Sequence, residues 1–396
     1  MRPFFEQDNL SLYCGDLREV LPTLPEASVD FVVTDPPYGI GFMEKDWDHE
    51  VPGPEYWRAI ARVCKPGALL LAFGGTRTYH HLTCAIEDAG WEIRDCLMWL
   101  YGQGMPKCGD IGKLIDKSKG AERQVVGDKL DRPGYHLHEG KGNGCYGGGN
   151  GLHAPGTDAR LRAAQITAPA TPEAAKWTGW AMALKPAWEP IVLAMKPLNG
   201  TIANNALTWG VAGMNIEGSR IGTESTVRAR GDSLTNAGWA STNRSPVGGS
   251  ECGRWPANLL LDEEAATALD AQTGTLTSGT NCVRTKSGDG YHGRIGRAGD
   301  VQVSYGDSGG ASRFFYCAKA TRTERGPGND HPTVKPLALM EYLLTLLSTP
   351  DGGVILDPFA GSGTTLLAAK RLGRRSIGVE LTQHNCEIAR GRLHVA

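Results

Sequence analysis

The chain has no apolar run approaching the roughly 20 residues that a membrane-spanning helix needs. Its opening residues, Met1-Arg2-Pro3-Phe4-Phe5-Glu6, lack the apolar core of a signal peptide. Its ten cysteines include no Cys-x-x-Cys pair, so neither a zinc site nor a disulfide framework is indicated and no metal is expected. A reduced, cytoplasmic protein is the simplest expectation. Positive charge is also missing from the total: the net charge is −2, so any polyanion partner must be met by a local concentration of basic residues. No internal repeat is evident. What remains is ordinary for a globular chain, with 40% hydrophobic and 21% charged residues in 396, enough for at least one large core.

The N-terminal stretch alternates strand and helix signals. Leu10 to Cys14 and Val29 to Thr34 read as strands, Pro54 to Cys64 as a helix ended by Lys65-Pro66-Gly67, and Ala68 to Phe73 as a compact, buried parallel strand. Tyr79 to Ala89 reads as a helix stopped by Gly90, and Ile93 to Leu100 as a further strand. This is the rhythm of a doubly wound sheet. Residues 102–156 are rich in glycine and polar side chains, too poor in apolar surface to order alone, and are expected to be a mobile loop. Pro190 to Lys196 reads as one more strand. Residues 201–330 are irregular, with short regular pieces at Asp262 to Asp270 and Arg313 to Ala318, and suggest a recognition surface made of loops. Regularity returns with a helix over Leu337 to Leu347, a strand at Val354 to Leu356, a helix over Thr364 to Leu372 closed by Gly373, and a strand at Ser376 to Val379.

The most informative residues are Asp35-Pro36-Pro37-Tyr38, at the end of the apolar run Val29 to Thr34. The two prolines fix φ and remove N–H donors, which holds the corner rigid. Asp35 and the Pro36 carbonyl offer two acceptors, and Tyr38 offers a flat face. An amine on a stacked ring fits that corner, which points to the exocyclic amine of a nucleobase.

A second constellation, Asp357-Pro358-Phe359-Ala360-Gly361-Ser362-Gly363-Thr364-Thr365, lies between a strand and a helix. Its glycines allow a ligand to approach the backbone near a helix N-terminus. Glu380 follows Gly361 by 19 residues, at the end of the next strand, where an acid can accept from ribose hydroxyls. No lysine follows the glycines, which argues against a nucleoside triphosphate, and the third glycine of a dinucleotide turn is missing. An adenosyl ligand with a cationic tail fits better, because Asp357 and Glu380 can take an amine and a ribose with no phosphate to repel. A tight turn packed only for structure remains the alternative.

With both constellations in place, the chain resembles the β class of amino-group DNA methyltransferases that use S-adenosylmethionine. The resemblance rests on Thr34-Asp35-Pro36-Pro37-Tyr38-Gly39, on His331-Pro332-Thr333-Val334-Lys335-Pro336, on the glycine turn, on Gly15-Asp16, and on the order of these blocks. It implies an α/β fold: a doubly wound, seven-stranded, mostly parallel Rossmann-like sheet, circularly permuted, with an irregular target-recognition insertion. The catalytic part would span 1–200, with the mobile loop at about 102–156, target recognition 201–330, and the cofactor-binding part 331–396. The C-terminal strands would lie mid-sheet beside the first N-terminal ones.

The resemblance also implies roles. Asp35, Pro36, Pro37 and Tyr38 would be catalytic. Phe359, Gly361, Ser362, Gly363 and Thr364 would line the methionine end of S-adenosylmethionine, with Asp357 near its amine, Lys335 near its carboxylate and Thr333 beside that block. Glu380 would hold the ribose and Asp16 would lie near the adenine. Trp99, Tyr101 or Trp47 could form a second face for the base, with core packing equally open for each. From Leu276 to Arg325, eight basic side chains stand against four acidic ones, a local excess of +4. In that segment Arg284, Lys286, Arg294, Arg297 and Arg313 are candidates to contact the phosphates of double-stranded DNA. An Asp at the head of the tetrapeptide favours adenine N6 as the target, with cytosine N4 as the alternative. Methylation of a ring carbon is not implied, since the chain has no Pro-Cys dipeptide. A homodimer on a palindromic site and a cognate restriction nuclease are the further partners the resemblance suggests. The competing readings are an RNA or protein-amide methyltransferase and an inactive DNA-binding module. The order of the blocks argues against the first, and the intact Asp35 and glycines against the second.

Overall fold

The computed structural model describes residues 1–41, 49–102, 104, 109–128, 165–222, 253–277, 282–283, 288–290, 293–296, 299, 301–302, 307–318 and 334–395. Its frame is a ten-stranded sheet. In chain order the strands are β1 (Phe5–Gln7), β2 (Leu10–Cys14), β3 (Val29–Thr34), β4 (Cys64–Phe73), β5 (Glu92–Leu100), β6 (Trp188–Met195), β7 (Leu259–Asp262), β8 (Tyr316–Ala318), β9 (Val354–Asp357) and β10 (Arg375–Glu380). In space they run β1-β2-β10-β9-β3-β4-β6-β5-β7-β8. β2, β10, β9, β3 and β4 are mutually parallel. β6 runs antiparallel to both its neighbours, and β5, β7 and β8 pair in parallel.

The helices are α1 (Leu17–Val20), α2 (Pro54–Val63), α3 (Tyr79–Asp88), α4 (Ile111–Ser118), α5 (Pro172–Lys176), α6 (Ile202–Trp209), α7 (Glu263–Thr273), α8 (Leu337–Leu347), α9 (Thr364–Arg371) and α10 (Gln383–Val395). Six of them sandwich the sheet. One core packs α8, α9 and α10 against Leu10, Phe31, Leu71 and Ile191. The other packs α1, α2 and α3 against Val32, Leu70, Val192 and Leu356. Strands covered on both faces read as near-continuous apolar runs, and β3 is buried at all six positions. Helix α2 instead buries a stripe, Trp57, Ile60 and Val63, behind Pro54 at its first turn. Helix α8 buries eight of its eleven residues, which an apolar sequence on all sides requires.

The strands expected from the sequence are present, but the sheet has ten strands rather than seven. The contiguous block from β2 to β5 accounts for seven; β1 adds an antiparallel edge, and β7 and β8 extend the other side. β7 and β8 come from residues 201–330, where only loops with short regular pieces were expected. Tyr316 explains the docking of β8: its ring stacks on Tyr342 of α8 at 3.8 Å, and its hydroxyl donates to the Ala338 carbonyl. The piece expected as a helix from Asp262 begins at Glu263, with Asp262 as its N-cap. The piece expected as a strand over Arg313 to Ala318 is one only at Tyr316–Ala318, which is β8; a 3-10 turn, Ala311–Phe314, precedes it.

Two further expectations are corrected. Lys65-Pro66-Gly67 does not separate a helix from a strand but lies within β4. Gly67 takes φ +78° there, the Pro66 carbonyl accepts from Asn205 Nδ2, and a Cβ on Gly67 would meet that amide at 2.4 Å. Within 102–156, the described residues include α4 and a strand, Val125–Asp128, paired with Gln165–Thr167. Polar contacts order this piece: buried Asp116 accepts from Arg123, Ala170 N and Thr171 Oγ1, so the apolar poverty of the segment is offset by one satisfied buried carboxylate. The expected loop over 129–156 lies outside the described residues.

β3 and β9 come from opposite ends of the chain and are joined beyond their backbone pairing. At one end Asp30 Oδ2 accepts from Val354 N at 2.6 Å and Asp30 Oδ1 pairs with Lys65 Nζ at 2.7 Å. Asp30→Ala would leave both donors without this acceptor. Its cost should be about 2–4 kcal/mol, read as a lower urea midpoint with an unchanged m-value.

Candidate active site

The parallel strands present four acids side by side at their C-terminal ends. In spatial order these are Asp16 just beyond β2, Glu380 ending β10, Asp357 ending β9, and Asp35 just beyond β3. From β9 the chain continues through α9 to β10 on one side, and from β3 through α2 to β4 on the other. The sheet therefore has its topological switch point between β9 and β3, where open α/β sheets bind ligands.

Thr34 Oγ1 closes the seam by donating to Asp357 Oδ1 at 2.6 Å. The other partners of Asp357 are the Thr365 side chain and the Phe359 N–H, none of them a cation. Burial pushes the Asp357 carboxyl up to about 6, against the pull of these donors.

The turn after β9 is built as its glycines suggest. Gly361 has φ +52° and Gly363 φ +78°, and a Cβ on Gly363 would meet the Ala389 Cβ at 3.0 Å. Glu380 accepts from Gly361 N at 2.9 Å, from Thr382 N and Oγ1 at 3.0 and 2.8 Å, and from Asn385 Nδ2 at 3.0 Å. It thus shapes the turn as well as facing it. The Phe359 ring lies against Tyr56 and Trp57 of α2, with centroids 6.4 and 6.2 Å away. Ser362 and Thr364 point inward: Arg392 donates to the Ser362 carbonyl, Ser362 Oγ and Thr364 Oγ1. Their role here is to clamp α10 to the turn. Asp16 caps α1 and pairs with Arg18, whose hydrogen bonds hold its carboxyl below the usual range. The Gly15 N–H donates to the Glu380 carbonyl, which brings Asp16 beside that strand end.

The Asp35-Pro36-Pro37-Tyr38 corner is braced by its neighbours. Thr78 Oγ1 donates to the Tyr38 carbonyl, and Gly39 takes φ +63° where a Cβ would meet Val51 N at 2.8 Å. Lys335 enters the corner from the far end of the sequence. Its Nζ lies 2.6 Å from Asp35 Oδ2, 3.2 Å from the Tyr38 hydroxyl and 3.5 Å from Glu189 Oε2. It also sits 5.4 and 5.0 Å from the ring centres of Tyr38 and Phe73. Burial alone would lower the Lys335 pKa, but Asp35 and Glu189 outweigh it and hold the ammonium charged. Burial, then Asp35 and Glu189, push the Tyr38 phenol well above its ordinary value, so it remains a hydroxyl. Its oxygen lies 2.9 Å from Asp35 Oδ1 and 3.1 Å from Glu189 Oε2.

The structure thus brings Asp16, Asp35, Pro36, Pro37, Tyr38, Lys335, Asp357, Phe359, Gly361, Gly363 and Glu380 to one edge of the sheet. It places Lys335 on Asp35, whereas the sequence suggested a position near a cofactor carboxylate. Trp99 and Tyr101 pack together, centroids 5.5 Å apart, beside this edge. Arg313 turns into its own loop, bonded to Asp307 and to the Gly309 and Gly310 carbonyls. Thr333, Trp47, Arg284, Lys286, Arg297 and the Arg294 side chain lie outside the described residues. Sequence reasoning missed Glu189. Its one signal was an acid directly before the apolar run of β6.

Residues 287–391 match the DNA methylase family of the N6/N4 type. Among relatives, the chain is 56% identical over 63 residues to the type II methyltransferase M2.DpnII of Streptococcus pneumoniae, a stretch covering 16% of this chain and 23% of that protein. It is 46% identical over 76 residues to the type II methyltransferase M.ScaI of Streptomyces caespitosus, covering 19% and 24%. The chain thus spans about a quarter of the length of the relatives it matches. The solved structure of the PvuII DNA methyltransferase (cytosine-N4-specific) is 15% identical over 99% of this chain and 88% of that one, with a TM-score of 0.44. Through the 287–391 segment the chain is similar to the N6/N4 amino-group DNA methyltransferases, and type II methyltransferases are among the relatives that share part of its sequence.

Asp357 sets a pH dependence. Its folded-state pKa of about 6 lies above the ordinary 3.8, so between these values the folded chain holds a proton the unfolded chain has released. Its contribution is full below about pH 4 and is lost as pH rises through 6. Asp357→Asn removes the effect. From pH 4 to pH 7 the variant's unfolding free energy should therefore gain on the wild type by roughly 2–3 kcal/mol, measured by denaturant titration.

Proposed function

We propose that the chain transfers a methyl group from S-adenosylmethionine to the exocyclic N6 of an adenine flipped out of duplex DNA, at a specific site. The observation that carries this reading is the seam between β3 and β9. There the amine-accepting corner at Asp35 and the glycine turn at Asp357 meet across the switch point, joined by Thr34. The family match and the type II methyltransferases among the relatives support it.

The residues present fit the proposed cofactor. Asp357 is a buried carboxylate whose partners are all neutral, so a ligand ammonium would relieve its burial. Glu380 is a buried acceptor at the neighbouring strand end. The row of four acids suits a cationic ligand and would repel a phosphate. In this reading Asp357 would take the amine, Glu380 the ribose hydroxyls, and Phe359, Gly361 and Gly363 would line the methionine end. When bound, S-adenosylmethionine supplies a methyl group already activated by a sulfonium. The work left to the chain is alignment and electrostatics.

An aromatic amine is a poor nucleophile because its lone pair is delocalised into the ring. Asp35 and the Pro36 carbonyl would each accept one amine hydrogen, which favours a pyramidal nitrogen with its lone pair free. Those bonds strengthen as positive charge develops on nitrogen, the condition for raising the rate. Flipping costs about a few kcal/mol, and stacking on Tyr38 would recover ~1–3 kcal/mol. Lys335 must yield Asp35 for this to happen. Residues 201–330 would read the target, with Arg284, Lys286, Arg294 and Arg297 on phosphates. A homodimer and a partner nuclease complete the proposal.

Single-molecule sequencing of DNA from cells expressing the chain should show N6-methyladenine in one sequence context. N4-methylcytosine there would reassign the base, and no modified base in cells containing folded protein would sink the reading. Asp35→Ala should lower methyl transfer at least 1,000-fold (~4 kcal/mol) while calorimetry still detects S-adenosylmethionine binding.

A further inference from the structure

Glu189 belongs to none of the blocks that define the resemblance. β6 runs antiparallel to β4, so its first residues reach the edge where the parallel strands end. Glu189 Oε2 thereby comes within 3.1 Å of the Tyr38 hydroxyl and 3.5 Å of Lys335 Nζ. Two carboxylates, Asp35 and Glu189, flank one ammonium. The single proton of the Tyr38 hydroxyl has both within reach. Across the strand pair, Glu189 stands opposite Trp99, so the two side chains share a face. Trp99 is buried, and its indole N–H has no hydrogen-bond partner among the described residues.

Asp35 faces a conflict in the proposed reaction. In the structure its Oδ2 receives the Lys335 ammonium and its Oδ1 the Tyr38 hydroxyl. The same oxygens would be wanted by the substrate amine. An ammonium left on Asp35 would also oppose the positive charge that grows on the amine nitrogen.

Resting on the methyl-transfer reading, we propose that Glu189 is a positioning residue of this site. It receives Lys335 and the Tyr38 hydroxyl when Asp35 turns to the substrate amine, and it makes the corner net negative. With Asp35, Glu189 and Lys335 charged, the cluster carries one surplus negative charge beside the nitrogen that becomes cationic. Without Glu189 the cluster is neutral and Lys335 stays on Asp35. Its effect therefore falls on the transfer step and spares binding at Asp357 and Glu380.

The test compares the full-length wild type with Glu189→Gln and Glu189→Asp on the DNA context found by sequencing. Single-turnover methylation is followed with isotopically labelled S-adenosylmethionine, and cofactor affinity by calorimetry. Glu189→Gln should slow transfer 10- to 100-fold with cofactor affinity within threefold of wild type, and Glu189→Asp should recover at least a third of the wild-type rate. A Glu189→Gln rate within twofold of wild type overturns the role of Glu189. So does a rate loss matched by lost cofactor affinity, or one that Glu189→Asp leaves unrepaired. A wild-type chain that binds no S-adenosylmethionine and methylates no DNA overturns the underlying reading, and the role of Glu189 with it.

Discussion

The pairing of β3 with β9 is the constraint on which the rest depends. These strands are separated by most of the chain and lie side by side in the middle of the sheet. Backbone pairing alone would fix their spacing. Two side-chain bonds do more: Asp30 grips the start of β9, and Thr34 grips its last residue. The register this imposes brings Asp35 and Asp357 to the same edge, one on each side of the switch point. A slip of one residue would turn one strand over relative to the other and send the two carboxylates to opposite faces.

Charge at the edge follows from that register. Four adjacent parallel strands end in acids, and each acid is accommodated separately. Asp16 is neutralised by Arg18, close to solvent. Glu380 is satisfied by neutral donors from its own turn. Asp35 shares Lys335 with Glu189. Asp357 is left with hydroxyl and N–H partners only, which is why burial raises its pKa. The edge is thus neutralised unevenly, and the places with least neutralisation are where a cationic ligand would gain most.

The regular elements were legible because their signals are local. β3, β4 and β9 are short apolar runs, Pro54 marks the first turn of α2, and Gly373 marks the end of α9. The extra strand β7 was not legible, and β8 was legible only as the end of a strand-like piece over Arg313 to Ala318. Leu259–Asp262 is only four residues long, and the three residues of β8 acquire strand geometry by pairing with it and by the stacking of Tyr316 on Tyr342. The order within 109–128 was hidden for a similar reason. It depends on Asp116 gathering donors from residues up to 55 positions away, and composition carries no record of that.

From the sequence alone followed the chemistry on offer: an acceptor-rich corner made rigid by two prolines, and a glycine turn without a phosphate-binding lysine. Backbone conformation and residue type decide those properties locally. The tertiary structure decided how the pieces meet. It set Lys335 on Asp35, turned Ser362 and Thr364 inward to Arg392, and brought Glu189 into the corner through an antiparallel strand. Each of these contacts joins residues far apart in the chain, and a hydrogen bond or ion pair acts only over a few ångströms, so only the folded sheet could bring them within reach.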